Sequence, residues 1–185
     1  MKGLAVTERR PDSLEDDLAE ARAGSREAFD RLILRFESQV MKTAVFLLRN
    51  ISDAEDAAQE TYVRIFRRLD RCREPEKLNA WIYRITVNAC RDVQRRRRFW
   101  APLAAVKSVI WPADPVLEQE LSGRLARALG RLSFNERAAF ILGELEELET
   151  SEVAEILGCA PVTVRGHLHE ARKKLRSQFR DLRSV

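Results

Sequence analysis

Arg84, Asn88, Arg91, Arg95 and Arg98 are spaced four, three, four and three residues apart. On a helix that spacing aligns the five side chains along one face, opposite Ile82, Ile85 and Ala89. A row of guanidinium groups can neutralise successive phosphates of one strand, and the amide of Asn88 can bond a base edge or a backbone atom. The 185-residue chain carries 33 basic and 29 acidic residues, a net charge of only +4. Its bases are concentrated in blocks, with six arginines from Arg84 to Arg98 against Asp92, and seven bases from Arg165 to Arg183 against Glu170 and Asp181. Two separated basic blocks imply two contacts with a polyanion.

Catalytic chemistry finds no comparable constellation. A DNA-cutting or DNA-joining enzyme needs a nucleophile beside bases, or carboxylates that converge on a metal. The acidic run Glu144, Glu146, Glu147, Glu149, Glu152 and Glu155 spreads around a helix and across a turn, as a solvated face does. His167 and His169 stand two apart and diverge by about 200° on a helix. Cys72, Cys90 and Cys159 are odd in number and lack C-x-x-C or Cys/His ligand spacing. No catalytic residue, metal or cofactor is expected, and the chain is not read as an enzyme.

The elements that must carry these faces are all helical, because three- and four-residue apolar periodicity is nearly continuous and strand alternation is absent. The fold class is all-α. Phe29, Leu32, Ile33, Phe36, Val40, Ala44 and Leu47 stripe a helix opened by Ser25. Ser52 and Glu55 form a capping-box pair for a second helix, which turns Ala58, Thr61, Tyr62, Ile65 and Leu69 inward. A third helix, from about Leu78 to Arg98, buries Leu78, Trp81, Ile82, Ile85, Ala89 and Val93, and three such helices close one core. Residues 99–116 hold three prolines and few charges and read as a linker whose Trp100, Val109, Ile110 and Trp111 dock on a surface. From Leu117 onward a second stripe begins, Leu117, Leu121, Leu125, Ala128, Leu129 and Leu132, and Ser133 with Glu136 caps a helix through Leu148. The expected organisation is 1–98, a linker at 99–116, and 117–185.

Within the last segment, Thr150 starts a short helix that buries Val153, Ile156 and Leu157, Gly158 stops it in the left-handed conformation, and Pro161 fits the first turn of the next helix. That corner is a helix-turn-helix. Val164, Leu168, Ala171 and Leu175 form the apolar back of the second helix; Val162, Arg165, Gly166, His169, Arg172 and Lys173 face the other way. An apolar back with a polar, basic front is what a major-groove reader requires.

The segments DAEDAAQETYVRIFRRLD and LNAWIYRITVNACRDVQRRRR resemble the core of bacterial RNA polymerase sigma factors, in particular the extracytoplasmic-function (group 4) class. Asp53, Ala54, Glu55, Asp56, Gln59, Glu60 and Tyr62 match one family motif. Trp81, Ile82, Arg84, Ile85, Asn88, Asp92, Arg95 and Arg96 match the next. LSFNERAAFIL, SEVAEILG and TVRGHLHEARKKL resemble region 4, so the likeness covers about residues 14 to 180. It implies two small helical domains, region 2 and region 4, and a subunit that directs core polymerase to promoters. In the family, the helix matching Asp53 to Leu69 docks on the coiled coil of the beta-prime subunit. The anchor residues implied are Asp53, Glu55, Asp56, Gln59, Glu60, Val63 and Arg67. The loop Asp70 to Lys77 corresponds to one that accepts a flipped base of the minus 10 element, which implicates Asp70, Arg71, Arg73 and Lys77 together with the arginine stripe. Of the aromatics used for melting in the housekeeping class, this stretch offers only Trp81 and Tyr83. For the minus 35 element the implied residues are Val162, Thr163, Arg165, Gly166, His169, Arg172, Lys173 and Arg176. A larger polar side chain is usual in the family where Gly166 stands. The resemblance also implies contact with the beta flap and an anti-sigma factor.

The rival reading is a helix-turn-helix regulator that binds DNA without polymerase, and it leaves Gln59 and Glu60 unexplained. The N-terminal MKGLAVTERRPDSLEDD lacks the apolar core of a signal peptide, and no apolar run reaches the length of a membrane span. The expected place is the cytoplasm, with no membrane insertion and no extension after the basic helix.

Overall fold

The computed structural model describes residues 13–72, 74–100 and 123–181. Within them the chain forms eight α-helices: α1 (Leu14–Arg22), α2 (Arg26–Leu48), α3 (Ile51–Arg68), α4 (Leu78–Trp100), α5 (Gly123–Gly130), α6 (Phe134–Phe140), α7 (Thr150–Leu157) and α8 (Pro161–Asp181). Two 3₁₀ turns, Leu69–Arg71 and Pro75–Lys77, join α3 to α4. No strand occurs among the described residues, which agrees with the all-α expectation. Leu117, Leu121 and most of the linker, including Val109, Ile110 and Trp111, lie outside the described residues.

Helices α1 to α4 form the first unit around Leu18, Leu32, Phe36, Val40, Ile65, Leu78, Ile82 and Ile85. The periodic stripes of α2, α3 and α4 supply most of this core, and α1 adds a helix that the stripe analysis did not include. Its signal is local: Ser13 accepts from the Asp16 N–H at 3.1 Å, and the Asp16 side chain reaches back to Ser13. The start of α3 differs from the expectation. Asn50, not Ser52, caps it by accepting from the Asp53 N–H at 2.9 Å, which places Ser52 inside the first turn. Trp81 is half-buried against the bundle core.

In the second unit the Ser133–Glu136 capping box forms as expected. The helix it opens does not reach Leu148. α6 ends at Phe140, a π turn runs Ile141–Leu145, and Glu147 takes a left-handed φ of 55°. α7 stops at Gly158, whose φ is 68°, and Pro161 opens α8, so the helix-turn-helix corner stands as expected.

The two units do not keep separate cores. One apolar cluster runs from Ala44, Val45 and Leu47 of α2 and Val87 and Cys90 of α4 to Leu142, Val153, Ile156 and Leu157 of the second unit. Arg137 of α6 crosses the seam. It is 6% exposed and donates from Nε to the Leu129 carbonyl at 2.9 Å, from Nη2 to Leu132 at 2.9 Å, and from Nη1 to Leu47 at the end of α2. Burial, aided by the charge of Arg49, lowers its pKa to about 10, so it stays cationic at neutral pH. Arg49 itself is left-handed (φ 58°) and donates to the Gly130 carbonyl at 3.3 Å. Carbonyls orphaned at the ends of α2 and α5 thus find donors in two arginines.

Two stability predictions follow from these clamps. Arg137→Met keeps an unbranched apolar stem but leaves three buried carbonyls without their donor, and should lower the unfolding free energy by about 3 kcal/mol or more in a denaturant titration. Asp17 of α1 is wholly covered and accepts from Arg31 Nε at 2.7 Å and Arg35 Nε at 3.0 Å. Burial pushes its pKa up, but the two guanidinium groups outweigh burial and hold it below the usual carboxylate value. A depressed folded pKa means that this stabilisation is complete above the unfolded value and fades as pH falls through the folded one. Asp17→Asn should therefore cost about 2 kcal/mol at pH 7, with the gap to the wild type closing below about pH 4; thermal melts at both pH values check it.

Candidate nucleic-acid interface and docking groove

A groove runs between α3 and the C-terminal half of α4, lined by Asp53, Asp56, Gln59, Glu60 and Val63 on one side and Val93, Arg96 and Arg97 on the other. It brings together five of the seven anchor residues expected from sequence. Arg67 lies one turn beyond Val63 on the same side of α3, while Glu55 is exposed but outside the lining. The charges inside are not equivalent. Asp53 accepts from Arg97 Nη1 at 2.7 Å, and Arg64 bridges Glu60 (2.7 Å) and Asp92 (2.9 Å). Among the described residues Asp56 and Gln59 on α3 and Arg96 on α4 have no partner, so they are the polar groups of the lining left open to another molecule. Phe66, seven residues past Gln59, is 65% exposed and packs edge-on against Phe29 with centroids 5.1 Å apart. Sequence reasoning passed over it, although its three-residue spacing from exposed Val63 was a usable signal.

α4 is used on several sides. Leu78, Ile82 and Ile85 face the bundle. Tyr83, Val87 and Cys90, at i, i+4 and i+7, form a flank that is closed to solvent, and α7 packs on this helix. Tyr83 is 3% exposed and donates to the Glu146 carboxylate; burial and that carboxylate push the phenol far above its ordinary pKa. It is therefore an interior residue here and not a free aromatic beside the loop. The remaining arc carries Arg84 and Arg95, both exposed, and Asn88 and Arg91, both half-buried. Arg91 Nη1 donates to Asn88 Oδ1 at 3.0 Å, and its guanidinium lies 5.5 Å from the Phe134 ring centre. Arg95 pairs with Asp92 at 3.1 Å. The side chain of Arg98 and the whole of Arg73 lie outside the described residues. Asp70, Arg71 and Lys77 are exposed on the two 3₁₀ turns, with Lys77 paired to Glu74, while Cys72 between the turns is buried in the bundle.

On α8, Val164, Leu168, Ala171 and Leu175 are buried, and Val162, Thr163, Arg165, Gly166, His169, Arg172, Lys173 and Arg176 are exposed. Arg172 pairs with Glu144, and Lys174 reaches both Glu136 oxygens at 2.7 Å, so these two cations brace the helix against α6 and the π turn. Burial acts to raise the Glu136 pKa, but Lys174 and the Ser133 cap outweigh it and hold the carboxylate below its usual range. Arg165, Lys173 and Arg176 have no partner among the described residues. The acidic run is dispersed: Glu144 holds Arg172, Glu146 holds Tyr83, and Glu152 accepts from the Glu149 N–H at 3.0 Å. Among the described residues no group of three His, Cys, Asp or Glu side chains converges as a metal site, and no helix is long and apolar enough to cross a membrane.

Two family models match the chain: Sigma-70 region 2 over residues 32–99 and Sigma-70, region 4 over residues 122–175. The ECF RNA polymerase sigma factor SigM of Mycobacterium tuberculosis is 34% identical over 153 residues, covering 83% of this chain and 78% of that protein. SigW of Bacillus subtilis, also an ECF RNA polymerase sigma factor, is 27% identical over 179 residues, 89% of this chain and 96% of its own. Among solved structures, CnrH in complex with the cytosolic domain of CnrY superposes with a TM-score of 0.67 at 26% identity, over 89% of this chain and 96% of that one. The sigma factor RpoE of Bartonella quintana, solved with the anti-sigma factor NepR, has a TM-score of 0.64 at 22% identity over 82% of this chain and 96% of its own, a likeness of fold.

Proposed function

We propose a division of labour for this chain, which belongs to the extracytoplasmic-function sigma factors of RNA polymerase: α3 docks on core polymerase, α4 with its preceding loop engages the minus 10 element, and α8 reads the minus 35 element. The observation that carries the reading is the pair of basic helices, α4 and α8, each with a buried apolar back and an open polar front. A groove between α3 and α4, with carboxylates and an amide on its α3 side, accompanies them. The division corresponds to region 2 at 1–98, a linker at 99–116 and region 4 at 117–185.

In the groove, Asp56 and Gln59 meet the beta-prime coiled coil directly, with Val63 and Phe66 as the apolar centre of the contact. Asp53 and Glu60 hold Arg97 and Arg64 and so fix the groove's shape. Glu55 and Arg67 lie at its margins. Arg84, Asn88, Arg91, Arg95 and Arg98 follow the melted strand, and the loop bearing Asp70, Arg71, Arg73 and Lys77 receives the flipped base. In region 4, Val162, Thr163, Arg165, Gly166 and His169 enter the groove of the DNA, while Arg172, Lys173 and Arg176 rise past its backbone. The beta flap is a second polymerase contact for this unit, and an anti-sigma factor covers the same surfaces in the inactive state. The chain performs no chemical step itself, uses no cofactor and works in the cytoplasm, where polymerase and promoter meet. A helix-turn-helix regulator acting without polymerase would leave Asp56 and Gln59 unused, and the family membership favours the polymerase reading.

Two measurements test this assignment. Asp56→Lys combined with Gln59→Ala should weaken binding to core polymerase by about tenfold or more while thermal stability is kept, since neither residue has an internal partner. For DNA, holoenzyme bound to a promoter library at two salt concentrations should show Arg165→Ala losing about 1 to 3 kcal/mol on the best site and relaxing preference at one base pair. Lys173→Ala should weaken all sequences alike and reduce the salt slope by about one.

A further inference from the structure

A glycine inside a helix sacrifices stability relative to alanine, so each one invites a reason. For most of the described glycines the fold supplies it. Gly24 and Gly158 have φ values of 98° and 68°, where a side chain would be strained. A Cβ on Gly130 would come within 2.7 Å of the Arg49 guanidinium, whereas one on Gly143, in the π turn, would make only an ordinary contact with the Leu168 methyl groups at 3.6 Å. Gly166 has no such reason: it lies within α8, its φ is not left-handed, it is exposed, and a Cβ there would meet nothing within 4 Å.

Its position on the helix is equally specific. Val164, Leu168, Ala171 and Leu175 are buried and define the direction in which α8 faces its own unit. Gly166 falls within about 10° of the opposite direction, at 100° per residue. The bare backbone therefore lies at the part of α8 furthest from the core. One turn before it stands Val162, 64% exposed, and on the same open arc are Arg165 and His169. The helix thus presents a shallow notch with an apolar neighbour, flanked by hydrogen-bonding side chains.

We infer that Gly166 is the seating point of α8 in the major groove of the minus 35 element: the missing Cβ lets the helix backbone lie against the DNA, and that approach sets the depth from which Arg165 and His169 reach the base edges. The neighbouring Val162 suits contact with a thymine methyl, the apolar feature of that groove. This inference rests on the assignment of α8 as the minus 35 reader. It adds that an absent side chain is itself a determinant of promoter choice.

The test uses full-length protein in holoenzyme, the best-bound duplex from the promoter library, and the variants Gly166→Ala, Gly166→Val and Arg165→Ala. Gly166→Ala should melt at the same temperature as the wild type or higher, because alanine is the better helix former and meets no neighbour, yet bind the selected promoter about tenfold more weakly. Gly166→Val should bind more weakly still. If Arg165→Ala alters base preference while Gly166→Ala binds as well as the wild type or better, the seating inference is overturned and the reading of α8 stands. If neither Arg165→Ala nor Gly166→Ala changes promoter binding, α8 is not the reader and the inference falls with that assignment.

Discussion

The guanidinium group of Arg137 is the constraint on which the rest of the arrangement depends. Its donors meet carbonyls from the end of α5, from the turn after it, and from the end of α2. A buried cation without a carboxylate is tolerated because its N–H groups are directed at oxygens that helix termini leave unsatisfied. The same contact fixes the corner at which α6 leaves α5, and α6 in turn carries Glu136, which holds Lys174 of α8. From one side chain, therefore, the position of α8 and the seam between the two units are both set in the described chain.

α4 shows how several requirements are met on one helix. Its bundle side obeys the period-3.6 stripe, its Tyr83–Val87–Cys90 flank is closed to solvent in a cluster that includes the second unit, and its arginine arc remains open. Neighbouring acids take some of these arginines: Asp92 holds Arg95, as well as Arg64 of α3, and Asp53 holds Arg97. Such surface pairs, partly or fully open to water, contribute little to stability, but they decide which charges remain available to a partner.

Features of short range were legible in the sequence. The Ser133–Glu136 box, the Gly158 stop and the Pro161 start involve residues at most four apart, and the stripes of α2, α4 and α8 follow from helix geometry alone. The start of α3 was misread because Asn50 and Ser52 are both competent caps two residues apart, and only backbone geometry selects between them. Tyr83 read as an available aromatic because nothing local reports that Glu146, 63 positions away, accepts its hydroxyl. Nothing local singles out Arg137 either, because its third carbonyl partner belongs to α2. The residues expected for anchoring and for DNA could be picked out only by type and helical spacing, whereas the distinction between open Asp56 and internally paired Asp53 and Glu60 needed coordinates.

The apolar cluster that joins the two units has a thermal consequence. Burial of apolar surface is driven mainly by water entropy near room temperature and weakens on cooling, while hydrogen bonds such as Tyr83–Glu146 and Arg137–Leu47 do not share that dependence. Cooling thus relaxes the adhesive part of the seam before its directional part. The joint between the units is one whose grip varies with temperature and whose register does not.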